Sequence, residues 1–266
     1  MVCLIGGGDG RQDVHRDRSP LSTDLELAVA AARLAGSVAS RWFGQPLDVV
    51  VKGAPANVVT AADTAAEQAV QELLGSERPD DGVLGEEGAN RPGVRRWLVD
   101  AIDGTLNFTR GDAFWCSAVA LEDAEGGLVA AVHHEASGET FSAARGGGCL
   151  LDGSRLSLGP GRRLADCVLA TYLHPGDATL RPVQDAISSV ASARVRGSGS
   201  LELAWVAAGR IDVWLQRDVL PWDWVPGALL VSEAGGTSRV TPREDRLWHL
   251  AGTTAAVGEL SAVLTS

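Results

Sequence analysis

The chain lacks the patterns that mark several common protein classes. No apolar run approaches the roughly 18 residues from which a transmembrane helix is inferred. The four cysteines include no C-x-x-C pair, and no histidine stands at zinc-finger spacing, so they are typical of free thiols in a reducing compartment. The patterns of serine hydrolases, P-loop proteins and dinucleotide-binding folds are also missing. These absences predict a cytoplasmic protein without a membrane partner.

Basic residues are scarce relative to acidic ones. The chain has 23 Lys and Arg against 34 Asp and Glu, which gives a formal net charge of −11. Sequence-independent nucleic-acid binding depends on clustered Lys and Arg, so no nucleic-acid partner is predicted. The acidity is instead compatible with a protein that holds cations.

The length of 266 residues and the hydrophobic content of 45% suit one large domain with two lobes. Residues 1–22 show no periodicity and are predicted to be a mobile leader. Residues 23–266 are predicted to form a single domain, with lobes over about 23–160 and 161–266. Thr23 and Asp24 are expected to cap the first helix. Helical and alternating periodicity predict helices over 25–43, 61–74, 180–189, 201–208, 224–234 and 258–264, and strands over 83–88, 97–99, 114–121, 128–133, 139–143, 168–172, 193–196, 213–215 and 247–251.

One segment, WLVDAIDGT at 97–105, combines a short apolar run with two acids and a turn. Asp100 ends the apolar run, and Asp103 follows three residues later, directly before Gly104. Two carboxylates held this close repel each other unless a proton or a cation lies between them. A hard divalent metal with oxygen ligands satisfies them at neutral pH. The segment therefore predicts metal-assisted chemistry on an anion, with a phosphate ester as the candidate.

Three further acids lie at predicted element boundaries, namely Asp63, Glu86 and Asp223, and layered packing could bring them to the same edge. Each short signal also has a structural reading. Asp103-Gly104 is a common turn pair, and Asp63 alone fits a solvated acid in the first turn of a helix.

Five segments together resemble the inositol monophosphatase family of the lithium-sensitive, magnesium-dependent phosphatase superfamily. They are KGAPANVVTAAD at 52–63, GEEG at 85–88, DAIDGTLNF at 100–108, GSGSLELAWVAAGRID at 197–212 and WDWVPGALLVSEAGG at 222–236. Their number and order make the match specific. The resemblance implies an α+β fold, a layered α-β-α-β-α sandwich of the inositol monophosphatase / fructose-1,6-bisphosphatase type. It also implies a phosphoric monoester hydrolase that forms a homodimer.

The resemblance also assigns roles to residues. Two or three Mg²⁺ ions would be held by Glu86, Asp100, the carbonyl of Ile102, Asp103 and Asp223. The catalytic group would be Glu86, Asp63 and Thr105, which orient and hold the attacking water. Lys52 would lie on a mobile loop near the metals, although by itself it is equally typical of a surface lysine. The substrate would contact Asp103, Gly104, Thr105, Gly197, Ser198, Gln216 and Asp223.

Two departures from the family pattern bear on function. Ala101 replaces the usual Pro between the two acids, which removes no ligand. Gln216 stands where inositol-specific members have Glu, and it still forms hydrogen bonds but carries no charge. The predicted substrate is therefore a small phosphorylated alcohol of the inositol, cyclitol or sugar type, with histidinol phosphate or a 3′-phosphonucleotide as alternatives. An alternative of another class is a catalytically weak relative that binds metal and anions.

Overall fold

The first half of the chain in this computed structural model carries two long helices and then a run of strands. The structure describes residues 20–52, 58–174, 176–243 and 245–265. The helices are α1 (Pro20–Ser40), α2 (Ala61–Glu77) and the short α3 (Thr105–Thr109). The strands are β1 (Val50–Val51), β2 (Val58–Val59), β3 (Gly82–Gly85), β4 (Asn90–Arg91), β5 (Arg96–Asp103), β6 (Cys116–Asp123), β7 (Gly126–His134), β8 (Glu139–Ala144), β9 (Gly148–Leu151) and β10 (Ser154–Leu156).

The second half alternates strands and helices. Its strands are β11 (Val168–Thr171), β12 (Ser192–Arg194), β13 (Val213–Arg217), β14 (Thr237–Arg243) and β15 (Arg246–Gly252). Its α-helices are α4 (Arg181–Ser188), α5 (Gly199–Ala207), α6 (Pro221–Glu233) and α7 (Thr254–Thr265), with 3₁₀ turns at Leu164–Asp166 and Asp177–Thr179. No helix in these described ranges is both long and apolar enough to cross a bilayer.

In the part of the chain that the structure describes, strands β1 and β2 form an antiparallel pair, and the other strands form two sheets. The larger has eight strands in the order β10-β9-β8-β7-β6-β5-β3-β4, and among its neighbours only β3 and β5 are parallel. The smaller has five strands in the order β12-β11-β13-β15-β14, with parallel pairing on both sides of β11.

Three hydrophobic cores hold five layers together, and the middle core surrounds the central helix layer on both of its sides. Helices α1 and α2 cover one face of the large sheet, α5 and α6 fill the space between the sheets, and α4 and α7 cover the outer face of the small sheet. Strand β6 is buried on both faces: Val119 and Leu121 belong to the α1 side, whereas Ala118 and Ala120 belong to the α6 side. This alternation follows from the two-residue period of a strand. The predicted α-β-α-β-α order is therefore observed.

The start of the domain differs from the prediction. Residues 1–19 of the predicted leader lie outside the described residues, but its last three residues already belong to α1. Asp24 is inside the helix, 2% exposed, and accepts hydrogen bonds from Arg78 Nε at 2.8 Å and an Arg95 guanidinium nitrogen at 2.9 Å. The prediction that Thr23 and Asp24 cap the helix is therefore wrong, because Asp24 instead links α1 to two distant arginines.

Candidate active site

A bulge in β5 brings Asp100 and Asp103 to the same cavity. Residues three apart on a regular strand point to opposite faces. Here Asp100 pairs with Ala118 and Asp103 with Cys116, so three steps on β5 match two steps on β6. Such a bulge re-aims the side chains that follow it. Both carboxylates consequently line one cavity of about 270 Å³.

Gly104 turns the chain from β5 into α3. Its φ is +99°, and a Cβ there would lie 3.1 Å from the Phe114 carbonyl oxygen and 3.2 Å from that of Gly197. Only glycine adopts this conformation in so tight a space without strain. On α3, the Asn107 amide donates to the Phe114 carbonyl at 2.8 Å and to the Arg196 carbonyl at 2.7 Å. The turn is thereby fixed against the segment that precedes α5.

Asp63 and Thr105, which the family resemblance pairs, lie within hydrogen-bond distance of each other. Thr105 Oγ1 lies 2.9 Å from Asp63 Oδ1 and 2.9 Å from the Ile102 carbonyl oxygen. Asp63 Oδ2 accepts from the Thr60 backbone at 2.8 Å and from its hydroxyl at 2.6 Å, which makes a capping box at the start of α2. Burial raises the pKa of Asp63, against the effect of these donors.

Asp223, in the first turn of α6, completes an acidic group with Asp100 and Asp103. One carboxylate oxygen from each lies within 4.8 Å of the others. The carboxyl groups of Asp100 and Asp223 are close enough for a hydrogen bond. Burial, followed by the neighbouring negative charges, raises the pKa of both. Burial also raises the pKa of Asp103, although several hydrogen-bond donors oppose it.

Glu86 reaches the same cavity from the turn after β3. Burial and then the charge of Glu87 raise its pKa to about 7, while Lys52 opposes this rise. Lys52 Nζ lies 2.5 Å from Glu87 Oε2 and 3.9 Å from Glu86 Oε1. Lys52 is the only lysine in the sequence, and the structure places it against this turn.

Ser198 supports Asp103 from behind. Its hydroxyl is fully buried and donates to Asp103 Oδ2 at 2.9 Å, and the Ser200 backbone N–H donates to the same oxygen at 2.6 Å. Ser198 is 0% exposed and is not among the residues that line the cavity, so its predicted contact with substrate stays a prediction. Gly197 does line the cavity.

Glu67 is a supporting residue that the sequence analysis did not identify. It is 1% exposed on α2, and its carboxylate accepts from the backbone N–H groups of Glu87 at 2.7 Å and Ala89 at 2.9 Å. A side chain at Gly85 would collide with this carboxylate. The spacing of four residues from Asp63 was an available signal, because it places both acids on the same side of α2.

The remaining cavity lining includes Gln216, Leu220 and two residues that no motif marked, Tyr172 and His174. Tyr172 follows the end of β11, and Gln216 lies near the end of β13, which pairs with β11. Burial, and then the charges of Asp103 and Asp177, raise the pKa of the Tyr172 phenol. The phenol is therefore protonated at neutral pH.

The acidic group suits a hard divalent cation. Its donors are carboxylate oxygens, which Mg²⁺ and Ca²⁺ prefer, and they converge from β5 and α6 on one partly buried point. Without a cation, the cost of their mutual repulsion is met by protonation, which agrees with the raised pKa values.

Comparison with known proteins agrees with this geometry. The sequence pattern of the inositol monophosphatase family matches residues 21–261. The chain belongs to the inositol monophosphatase family. It is 42% identical to an inositol-1-monophosphatase of Rhizobium meliloti (strain 1021) over 225 residues, which cover 80% of this chain and 84% of that protein. It is also 34% identical over 221 residues to the Nus factor SuhB of Pasteurella multocida (strain Pm70), covering 80% of this chain and 83% of that protein.

Solved structures of family members share the fold. The crystal structure of extragenic suppressor protein suhB from Bartonella henselae superposes with a TM-score of 0.85 at 31% identity, covering 92% of this chain and 99% of that one. An inositol monophosphatase from Anabaena gives a TM-score of 0.79 at 26% identity, covering 92% and 96%. The predicted family, the α+β fold class and the reaction class, phosphoric monoester hydrolysis, are thus confirmed.

Proposed function

We propose that this protein is a Mg²⁺-dependent phosphomonoesterase that hydrolyses a small phosphorylated alcohol. The observation that carries the proposal is the meeting of Asp100, Asp103 and Asp223 within 4.8 Å at the cavity that Glu86 and Thr105 also line. Four acids and a hydroxyl around one small cavity suit a phosphate ester only when cations offset the repulsion between them.

Glu86, Asp100, Asp103, Asp223 and the carbonyl of Ile102 would hold two or three Mg²⁺ ions. Bound there, Mg²⁺ would neutralise phosphate charge and make water more acidic. The Gly104 and Thr105 backbone lies at the start of α3 and lines the cavity, where free N–H groups suit phosphate oxygens.

The attacking water would be oriented by Thr105 and Asp63 together with Glu86. Thr105 donates its single hydroxyl proton to Asp63 Oδ1 or to the Ile102 carbonyl, so its oxygen keeps lone pairs that accept from a water. Asp63 is itself fixed by the two donors of Thr60. A water held in this way is positioned before the substrate arrives, which lowers the entropic part of the barrier.

The leaving alcohol would occupy the part of the cavity between Gly197, Gln216 and Asp223. The cavity has a volume of about 270 Å³, a size that suits a small metabolite. Lys52 would tune the site through its contacts with the turn at Glu86 and Glu87. A homodimer, a cytoplasmic location and the lack of a nucleic-acid partner stay predictions.

Phosphate release from a panel of phosphorylated metabolites, with and without Mg²⁺, tests the proposal. We expect release only with Mg²⁺, inhibition by Li⁺, and a loss of more than about 100-fold in Asp100→Asn, since even outer-shell partners of a metal cost 10–100-fold. The control is Asp123→Asn, a partly exposed acid on β6 that pairs with Arg145. Full turnover by Asp100→Asn, or equal turnover in the presence of a chelator, would defeat the proposal.

A further inference from the structure

One side of the cavity carries no carboxylate and is partly aromatic. Apart from the acids and the glycine-containing turns, the lining includes Tyr172, His174, Gln216 and Leu220. We call these four residues the heterocycle wall. Leu220 is 49% exposed, an unusual degree of exposure for a large apolar side chain beside an acidic site. The wall offers two rings, one amide and one aliphatic surface.

The two rings are held in a defined arrangement. The Tyr172 and His174 rings have centroids 4.8 Å apart and an interplanar angle of 67°, which is an edge-to-face contact. The His174 backbone N–H donates to Asp177 Oδ2 at 2.9 Å, and Asp177 is 2% exposed. Arg217 binds Asp177 Oδ1 through two nitrogens, at 2.6 and 2.8 Å.

This partly buried ion pair links both sides of the wall. Arg217 directly follows Gln216 on β13, and Asp177 follows the segment that carries Tyr172 and His174. The segment that carries the two rings and the strand that carries Gln216 are therefore joined through one Arg–Asp contact. A wall arranged before binding loses little conformational entropy when a ligand arrives.

The polar atoms of the wall are available to a ligand. Across the ranges that the structure describes, no protein hydrogen bond engages the Tyr172 hydroxyl, the ring nitrogens of His174 or the Gln216 amide. The amide carries both donors and an acceptor, which can pair with the ring nitrogens of a heterocycle. The ring and aliphatic surfaces can cover its flat faces.

A polyhydroxylated ring fits this wall less well. Hydroxyl groups on its faces, laid against Leu220 and the rings, would lose their hydrogen bonds to water without a replacement, and this loss opposes binding. Only hydroxyl groups at its edge could reach the polar atoms of the wall, whereas a planar heterocycle carries its polar atoms at the edge alone. In addition, Gln216 offers no negative charge to a pair of hydroxyl groups.

We propose that the heterocycle wall selects phosphate esters whose alcohol carries a planar nitrogen heterocycle. The inference rests on the proposed phosphatase function and specifies its substrate class. Imidazole and purine esters share the required chemistry, and the cavity volume of about 270 Å³ admits a phosphate with one such small alcohol.

The test compares kcat/KM of the full chain with Mg²⁺ on four esters. These are histidinol phosphate (imidazole), adenosine 5′-monophosphate (purine), inositol 1-phosphate (polyol) and glycerol 2-phosphate (no ring). We expect at least one heterocycle ester to exceed both others by about tenfold or more, the size of a few well-packed apolar contacts. The heterocycle ester with the higher kcat/KM shows whether the wall prefers an imidazole or a purine. Equal values, or a preference for inositol 1-phosphate, would overturn the inference.

Substitutions of wall residues test whether the wall causes the preference for heterocycle esters. In Tyr172→Ala and Leu220→Ala, the ratio of kcat/KM for the preferred heterocycle ester over glycerol 2-phosphate should fall by about tenfold. Tyr172→Phe keeps the aromatic ring, so its ratio should stay close to that of the wild-type protein. Leu247→Ala is the matched control, since Leu247 is 50% exposed but does not line the cavity. An unchanged ratio in Tyr172→Ala and Leu220→Ala would contradict the role of the wall.

The two proposals fail in different ways. If none of the four esters is hydrolysed with Mg²⁺ present, the phosphatase proposal fails and the wall inference falls with it. If glycerol 2-phosphate and inositol 1-phosphate are hydrolysed as well as the heterocycle esters, the phosphatase proposal stands and only the wall inference is overturned.

Discussion

Asp103 receives its place in the site from neighbours that are far away in the sequence. One of its oxygens accepts from Ser198 and from the Ser200 backbone, and the Cys116 thiol lies 3.7 Å from the same oxygen. These donors stabilise the ionised carboxylate, which burial alone would disfavour. The motif around Asp103 predicted a metal ligand, but it carried no information about these supporting contacts.

Ser198→Ala tests whether this serine supports the carboxylate. Loss of the buried donor should raise the Mg²⁺ concentration required for half-maximal activity by about tenfold, the lower end of the effect of outer-shell partners. The relative preference among substrates should not change. Ser200→Ala is the comparison and should have a smaller effect, because Ser200 bonds Asp103 through its backbone N–H. A Mg²⁺ titration and the substrate panel measure both quantities. A changed substrate preference at constant Mg²⁺ requirement would instead favour direct contact of Ser198 with substrate.

At the scale of elements, the sequence predicted the strongly periodic segments well. The helix expected over 61–74 is α2, which continues to Glu77, and the strands expected over 128–133 and 139–143 are β7 and β8. Strand β14 (Thr237–Arg243) was not predicted. It is an edge strand that pairs only with β15, it contains Pro242, and several of its residues are exposed, so it has no strong apolar alternation.

Glu67→Gln tests how α2 positions the turn that carries Glu86. Glutamine keeps one acceptor oxygen but turns an NH₂ group toward one of the two backbone N–H donors. We expect the free energy of unfolding to fall by about 1–3 kcal/mol, the cost of an unsatisfied buried donor. The Mg²⁺ requirement should rise as Glu86 is displaced. Urea unfolding and a Mg²⁺ titration provide the two readouts, with Glu72→Gln, an exposed acid on the same helix, as control. If Glu67→Gln has the wild-type free energy of unfolding and the wild-type Mg²⁺ requirement, Glu67 does not position this turn.

At the scale of the whole molecule, folding brings several acids close together, and this costs the metal-free protein stability. Five-layer packing buries Glu86, Asp100 and their neighbours together, and burial is the first cause of each raised pKa. The metal-free protein therefore retains protons that the unfolded chain would release. By linkage, such a protein loses stability as pH rises through the folded pKa values.

The stability of the metal-free protein should consequently fall between pH 6.5 and about pH 8. Burial raises the pKa of Glu86 to about 7 and that of Glu202, a buried acid on α5, to about 8, both from an ordinary value of 4.5. The folded state therefore binds more protons than the unfolded chain in this window. Burial lowers the pKa of His133 and His249 below 6.5, so the titration of these two histidines changes the stability only at lower pH. In EDTA, the melting temperature should decrease by a few degrees across this pH window, since one kcal/mol corresponds to about 2–4 °C for a protein of this size. In Mg²⁺, the decrease should be smaller. A melting temperature independent of pH and of Mg²⁺ would contradict the expectation.

The sequence by itself determined the candidate acids, the strongly periodic helices and strands and the family, because these depend on local residue types and their spacing. The tertiary structure alone decided which carboxylates meet, which way Ser198 points and which side chains form the rest of the cavity. The bulge in β5, the buried support from Glu67 and the Asp177–Arg217 pair beside Gln216 join residues from separate elements. Local periodicity carries no information on such contacts, since they arise only when the layers pack.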